Sequence, residues 1–331
     1  MRRSLTEAKM QTRSTARTPV LTEIGFGGAQ IGNLSREVDD ATARGAVDAA
    51  WDAGIRYFDT APHYGLGLSE RRLGAALRDR PRDEYVLSTK VGRLLVDSPD
   101  TADRPDDDGF AVPASVVRRW DFSRDGILRS VEQSLTRLGL DRIDIAYLHD
   151  PDQHWDAAST TGVGALIELR DQGVVSAIGA GMNQAAMLAD FVEKCDVDIV
   201  MVAGRYTLLD DAAADRLLPL AAERGVGVVA AAVYNSGLLS VPRPAPGASY
   251  DYTSAPDAMI ERAHRIADVC ERYGVDLPSA ALAYPLRRPE VVSVVVGVRS
   301  RAQAESTLQR YLATAPQEMW RELFAARLVA A

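Results

Sequence analysis

Cysteine is scarce in this sequence: Cys195 and Cys270 are the only two, and they lie far apart without a Cys-x-x-Cys spacing. That argues against a disulfide framework or a thiolate metal site and fits a reducing compartment, so the expected location is the cytoplasm. Excess positive charge is also missing. The formal net charge is −8, which speaks against non-specific binding to nucleic acid or to an anionic membrane. No apolar run approaches the ~20 residues that span a bilayer. The first residues lack the apolar stretch of a secretory signal and carry four arginines and one lysine before Thr18. Residues 1–19 therefore read as a disordered leader ahead of one domain over residues 20–331, with a transit peptide as the alternative that Glu7 opposes.

Nucleotide-binding loops of the familiar kinds are absent as well. There is no Walker-type phosphate loop, and Gly25-Phe26-Gly27-Gly28-Ala29-Gln30 and Gly179-Ala180-Gly181-Met182-Asn183-Gln184 both lack a glycine at the sixth place of Gly-x-Gly-x-x-Gly. What is present is a regular alternation. Strand-like runs fall at residues 20–24, 55–58, 85–90, 143–149, 176–181, 198–203, 226–233 and 291–296, with Gly25 to Gly28 as the exit of the first. Helical stretches fall at 41–53, 70–77, 124–138, 161–172, 185–194, 212–224, 257–273, 278–287 and 301–312. Asp39, Ser69 and Ser123 read as helix starts, and Gly54, Gly139, Gly173 and Gly225 as stops. Eight such units favour a closed (β/α)8 TIM barrel over an open doubly wound sheet. Two regions break the rhythm, residues 94–121 after strand three and 235–256 after strand seven. Long loops of this kind on the strand-to-helix face are expected to overhang the site and shape a substrate pocket, which draws attention to Trp120 and Tyr234.

Three strand ends carry ionisable residues: Asp59 with Tyr64 shortly after it, Lys90, and His149. Each alone has a bland reading, since Asp59 suits a turn before Thr60 and Pro62, Tyr64 a half-buried aromatic, and Lys90 a solvent contact. Together they have a chemical logic. A phenol titrates near ~10, and an adjacent ammonium favours its phenolate form. A carboxylate would hold the lysine in place and a histidine would orient a substrate oxygen, so the set suits proton transfer to or from that oxygen. His149 also has His154, Asp150 and Asp152 nearby, but the spacing matches no zinc motif. His63, beside Tyr64, is a candidate substrate contact, and His264 sits in a helical stretch.

The pattern Gly54-x-x-x-Phe58-Asp59-Thr60-Ala61-x-x-Tyr64-Gly65 resembles the aldo-keto reductase signature, and the resemblance runs from about Leu21 to about Gln309. It implies a (β/α)8 barrel, a nicotinamide cofactor, either NADP or NAD, and a catalytic tetrad of Asp59, Tyr64, Lys90 and His149. By the same resemblance Gly28, Asn183, Gln184, Gly297, Arg299, Ser300 and Gln303 would face the cofactor, with Asn183 at the carboxamide and Arg299, Ser300 and Arg301 near the adenosine end. Ala203 and Ala231 stand where the family often has glutamine and an aromatic, so Tyr206 or Tyr234 would have to supply a ring against the nicotinamide. Ser306 and Thr307 replace the acidic and amide residues the family often has after Gln303. Residues 204–210 and 295–300 look most like the branch of aldose 1-dehydrogenases and pyridoxal 4-dehydrogenase. The expected substrate is thus a sugar oxidised at its anomeric carbon, with small aldehydes, ketones or pyridoxal as rivals. A cofactor-binding regulatory subunit and a metal-dependent barrel hydrolase are the readings from other classes.

Overall fold

The computed structural model describes residues 10–251 and 253–330. Eight strands, all paired in parallel and in sequence order, close into one barrel. They are β1 (Ile24–Gly27), β2 (Tyr57–Asp59), β3 (Val86–Val91), β4 (Ile145–His149), β5 (Ala177–Met182), β6 (Ile199–Ala203), β7 (Gly227–Ala231) and β8 (Val291–Gly297). Around them run α1 (Asp40–Asp52), α2 (Leu68–Leu77), α3 (Arg124–Leu138), α4 (Val163–Asp171), α5 (Ala185–Lys194), α6 (Leu217–Arg224), α7 (Asp257–Arg272), α8 (Leu277–Ala283), α9 (Arg301–Leu312) and α10 (Gln317–Ala325). Among the described residues, no helix is long and apolar enough to cross a membrane.

Strand periodicity decides what faces where, because alternate side chains point to opposite faces of a strand. Tyr57, Ile145, Tyr147, Ile199, Met201, Val229 and Val295 fill the barrel interior. Their neighbours Phe58, Leu87, Ala146 and Leu148 belong to the outer layer under the helices. Continuing the inward series to the strand ends brings Asp59, Lys90 and His149 to one rim. Pairing fixes the rest: Asp59 lies opposite Ser88, and Lys90 opposite Tyr147.

Several elements differ from the sequence reading. The first barrel strand runs over Ile24–Gly27 rather than 20–24, because Gly25 is a strand residue: a β-carbon there would come within 2.7 Å of the Tyr57 ring. Residues 10–19 are no free leader, while residues 1–9 of that reading lie outside the described residues. Thr12–Arg13 pairs antiparallel with Leu21–Thr22. Arg13 donates to Glu23 Oε1 at 2.6 Å and to the carbonyls of Leu286, Arg288 and Val291, closing the end of the barrel opposite the rim. Ser69 does not cap α2, whose cap is Gly67; it is buried and donates to Gly28 O at 2.8 Å. The expected helices at 212–224 and 278–287 are each interrupted, at Arg216 and at Tyr284, since Pro219 and Pro285 cannot continue an unbroken ladder. Asp39 and Ser123 do cap, accepting from Thr42 N and Gly126 N. The loop after β3 holds a hairpin, Arg93–Asp97 against Val116–Trp120. The loop after β7 holds a smaller one, Ser249–Tyr250 against Thr253–Ser254.

Candidate active site

Asp59, Lys90, His149 and Tyr64 converge at the rim. Lys90 Nζ donates to Asp59 Oδ2 at 2.7 Å and to Thr60 O at 3.1 Å, and it lies 4.6 Å from the centroid of the Tyr64 ring. The Tyr64 and His149 rings meet edge to face at 5.9 Å. Tyr64 reaches this position through a turn that ends at Gly65 (φ 61°), where a β-carbon would stand 2.1 Å from Gly32 O. No other residue fits that turn without moving the backbone.

Charge in this pocket is governed by burial and then by pairing. Burial raises the Asp59 carboxyl, and Lys90 and Ser88 pull it back. Burial also works against the Lys90 ammonium, but Asp59 and then Tyr64 outweigh it and keep the proton on the lysine. For Tyr64, burial raises the phenol and Lys90 opposes that rise. His149 is held neutral, well below the ordinary histidine range, by burial and next by the Arg93 guanidinium. His63 is likewise pushed down to about 2 by burial and by Arg93, Arg118 and Lys90. A neutral imidazole can donate one hydrogen bond to an oxygen without adding charge, and among the described residues the His149 Nδ1 has no partner.

Beneath the ion pair runs a hydrogen-bond chain that sequence reading did not single out. Ser88 Oγ donates to Asp59 Oδ1 at 2.7 Å, and the Tyr57 hydroxyl lies 3.1 Å from Ser88 Oγ and 3.2 Å from the Tyr147 hydroxyl. Because the ionised carboxylate only accepts, the chain runs from Tyr147 through Tyr57 and Ser88 to Asp59. Removing Ser88's hydroxyl deprives a buried carboxylate of a donor, a loss of about 1.5–3 kcal/mol for a charged group. The carboxylate then takes up a proton more readily, and a neutral carboxyl no longer holds in place the Lys90 ammonium that opposes the rise of the phenol. In the alcohol-oxidising direction Ser88→Ala should move the pH–kcat limb to higher pH, by roughly half a unit to one unit at 1.36 kcal/mol per unit. Tyr57→Phe, one link farther away, should move it less; equal profiles for all three proteins would show that the chain is only packing.

The loop after β3 covers this rim. Phe110 pairs by a bridge with Leu34, and its ring stands 5.2 Å from His63 and 6.1 Å from Tyr64. Arg118 donates to His63 O at 3.0 Å, and Trp120 is 41% exposed, with Arg93 stacked on its ring and His154 against it. His63 and Trp120 thus both belong to the mouth. The loop after β7 packs on its neighbour. Its Asp251 pairs with Arg205 at 2.6 Å and its Tyr250 donates to Asp210, so it is anchored on the loop after β6.

Of the residues assigned to a cofactor, Asn183 follows β5 and donates to Ala203 O at 3.1 Å, with Gln184 heading α5. Gly28 N donates to Asp59 O at 2.8 Å, which places it at the back of the tetrad. Gly297, Arg299, Ser300 and Gln303 cluster at the start of α9, where Ser300 caps the helix and Gln303 Oε1 accepts from Arg299 N at 2.9 Å. One of the tyrosines does not fit its expected place. Tyr206 lies in the outer apolar layer, 5.2 Å from Tyr284, which in turn packs on Trp320 of α10, so its ring is unavailable to a nicotinamide. Tyr234 accepts from Arg310 of α9, at 3.4 Å to its hydroxyl. A helix start with a side-chain cap, and the buried Arg299 Nε and Asn235 Oδ1, which have no partner among the described residues, fit a bound dinucleotide.

Residues 23–327 match the aldo/keto reductase family. D-threo-aldose 1-dehydrogenase from a Pseudomonas species is 48% identical, with 92% of this chain and 94% of that protein aligned. Pyridoxal 4-dehydrogenase from Microbacterium luteolum is 38% identical over 95% and 96%. The holo form of the aldo-keto reductase AKR11C1 from Bacillus halodurans superposes with a TM-score of 0.75 at 27% identity, covering 97% of each chain. The barrel, its rim and these similarities agree: the chain belongs to the aldo/keto reductase family and is an oxidoreductase that works with a nicotinamide cofactor.

Proposed function

We propose that this enzyme oxidises an aldose at its anomeric carbon to the lactone, with Asp59, Tyr64, Lys90 and His149 as its catalytic residues. The observation that carries this reading is the buried Lys90–Asp59 pair lying against the Tyr64 ring, beside an imidazole kept neutral. His149 donates a hydrogen bond to the anomeric oxygen and fixes its direction. Tyr64, its phenolate stabilised by the Lys90 ammonium, accepts the hydroxyl proton as the C–O bond becomes C=O. When bound, the nicotinamide supplies the hydride acceptor. Asn183 would hold its carboxamide, and Arg299, Ser300 and Gln303 its phosphate end.

The substrate class rests on the relative named for D-threo-aldose, and pyridoxal oxidation is the second reading, favoured by the 38% identical relative. For the adenosine end, Arg299 is already bonded to Gln30 and Leu34 O, and the exposed Arg301 lies 3.8 Å from Glu305, so neither is an unengaged cation for a 2′-phosphate. NAD is therefore expected to serve at least as well as NADP. Initial rates with L-fucose, D-arabinose, galactose and pyridoxal, each with both dinucleotides, test the reading. The expected result is sugar oxidation at the highest kcat/KM, and turnover of pyridoxal alone would overturn it. The enzyme acts on a small molecule and is expected in the cytoplasm.

A further inference from the structure

Two charged residues at the mouth have no part in the tetrad. Arg93 opens the hairpin after β3, directly across from Trp120, and Asp150 follows His149 with a backbone of φ 40°, a strained conformation for a residue that is not glycine. Arg93 Nη2 donates to Asp150 Oδ2, while Nη1 contacts His63 Nδ1 at 3.3 Å. Asp150 Oδ2 also lies 3.7 Å from His149 Nε2. The pair's side chains are 12% and 30% exposed, so it is neither a solvated surface bridge nor fully enclosed. Desolvating two charges costs about as much as their attraction returns, which makes such a pair weak as a stabilising device and leaves its position to be explained.

Resting on the aldose reading above, we propose that Arg93 and Asp150 form the subsite that reads the hydroxyl on the carbon next to the reacting one. His149 Nε2 marks the anomeric oxygen, and the hydroxyl on the adjacent carbon lies about one hydrogen-bond length from that oxygen. Asp150 Oδ2 stands 3.7 Å from that same nitrogen, close enough for the carboxylate to reach a hydroxyl beside the anomeric oxygen. Both of its contacts to Arg93 and His149 run through Oδ2, so Oδ1 accepts from the sugar hydroxyl. The guanidinium, held flat by the Trp120 ring 4.3 Å away, donates to the same oxygen. A hydroxyl is both donor and acceptor, and a carboxylate with a guanidinium meets both needs at once. A substrate lacking that hydroxyl would leave the two charges desolvated without a partner, which is the situation in which a polar site discriminates strongly.

The test compares D-arabinose with 2-deoxy-D-ribose, which lacks only that hydroxyl, using wild type, Asp150→Asn and Arg93→Gln with saturating dinucleotide. Wild type should favour D-arabinose by at least ~10-fold in kcat/KM, and either variant should bring the ratio towards one, chiefly through the KM of D-arabinose. The ratio is taken on a single preparation, so loss of folded protein cancels. Variants that lose activity but keep the wild-type ratio would assign the pair to holding His149 and overturn the proposal. A wild type that oxidises both sugars equally well overturns it too while leaving the aldose reading intact. Oxidation of none of D-arabinose, 2-deoxy-D-ribose, L-fucose and galactose sinks both.

Discussion

Lys90→Met should be the most damaging single change in the protein, lowering turnover by roughly 10²-fold or more and stability by about 3–5 kcal/mol. The two losses have one cause. Asp59 is 2% exposed, and its strongest partner is the Lys90 ammonium at 2.7 Å. Without that charge the carboxylate is left in the barrel interior with the Ser88 hydroxyl, and burial drives it to take up a proton. The phenol of Tyr64 loses the cation that opposed its own burial, so its pKa climbs and the phenolate becomes rare at neutral pH. A double-mutant cycle separates the effects. Adding Asp59→Asn removes the orphaned charge, so the urea midpoint should recover most of its loss. Turnover should not recover, because the phenol still lacks its ammonium. If the double variant stays as unstable as Lys90→Met, an uncompensated carboxylate is not the source of the damage.

Tyr64→Phe is expected to give the second large effect, but on activity alone. It deletes one oxygen atom while keeping the ring that packs against Lys90, His149 and Phe110. Turnover should fall by about 10²-fold or more, the scale of losing a positioned proton-transfer group. The thermal midpoint and the dissociation constant for the dinucleotide, followed by fluorescence, should change little. A Tyr64→Phe enzyme of undiminished kcat would remove this residue from the chemistry, and one that no longer bound the dinucleotide would assign the hydroxyl a different task.

The parts of this site that were legible in the sequence are those in which chemistry and chain position coincide. Asp59, Lys90 and His149 each close a strand-like run, and a strand's alternation carries the inward series to its last residue. Tyr64 is tied to Asp59 by four residues of turn-forming sequence. Ser88, Tyr57 and Tyr147 were passed over because a serine and two tyrosines within strands look like ordinary strand content. Only the register Asp59↔Ser88 and Lys90↔Tyr147 turns them into a relay, although their period of two from Asp59, Lys90 and His149 was a usable signal. Tyr206 failed in the opposite way. It follows a strand as the active residues do, yet packing against Tyr284 draws its ring elsewhere.

Local pattern by itself determined the alternation of eight strands with helices, their stops at Gly54, Gly139, Gly173 and Gly225, and the identity of four rim residues. These depend on short-range physics: turn conformations, the period of side-chain burial, and the chemistry of single groups. Which residues of the two long loops face the rim, that residues 10–19 seal the barrel's far end, and that Arg93 meets Asp150 across 57 positions were decided only by the folded chain. Such contacts come from barrel closure, which sets the distance between strand ends without leaving any mark in the sequence near either partner.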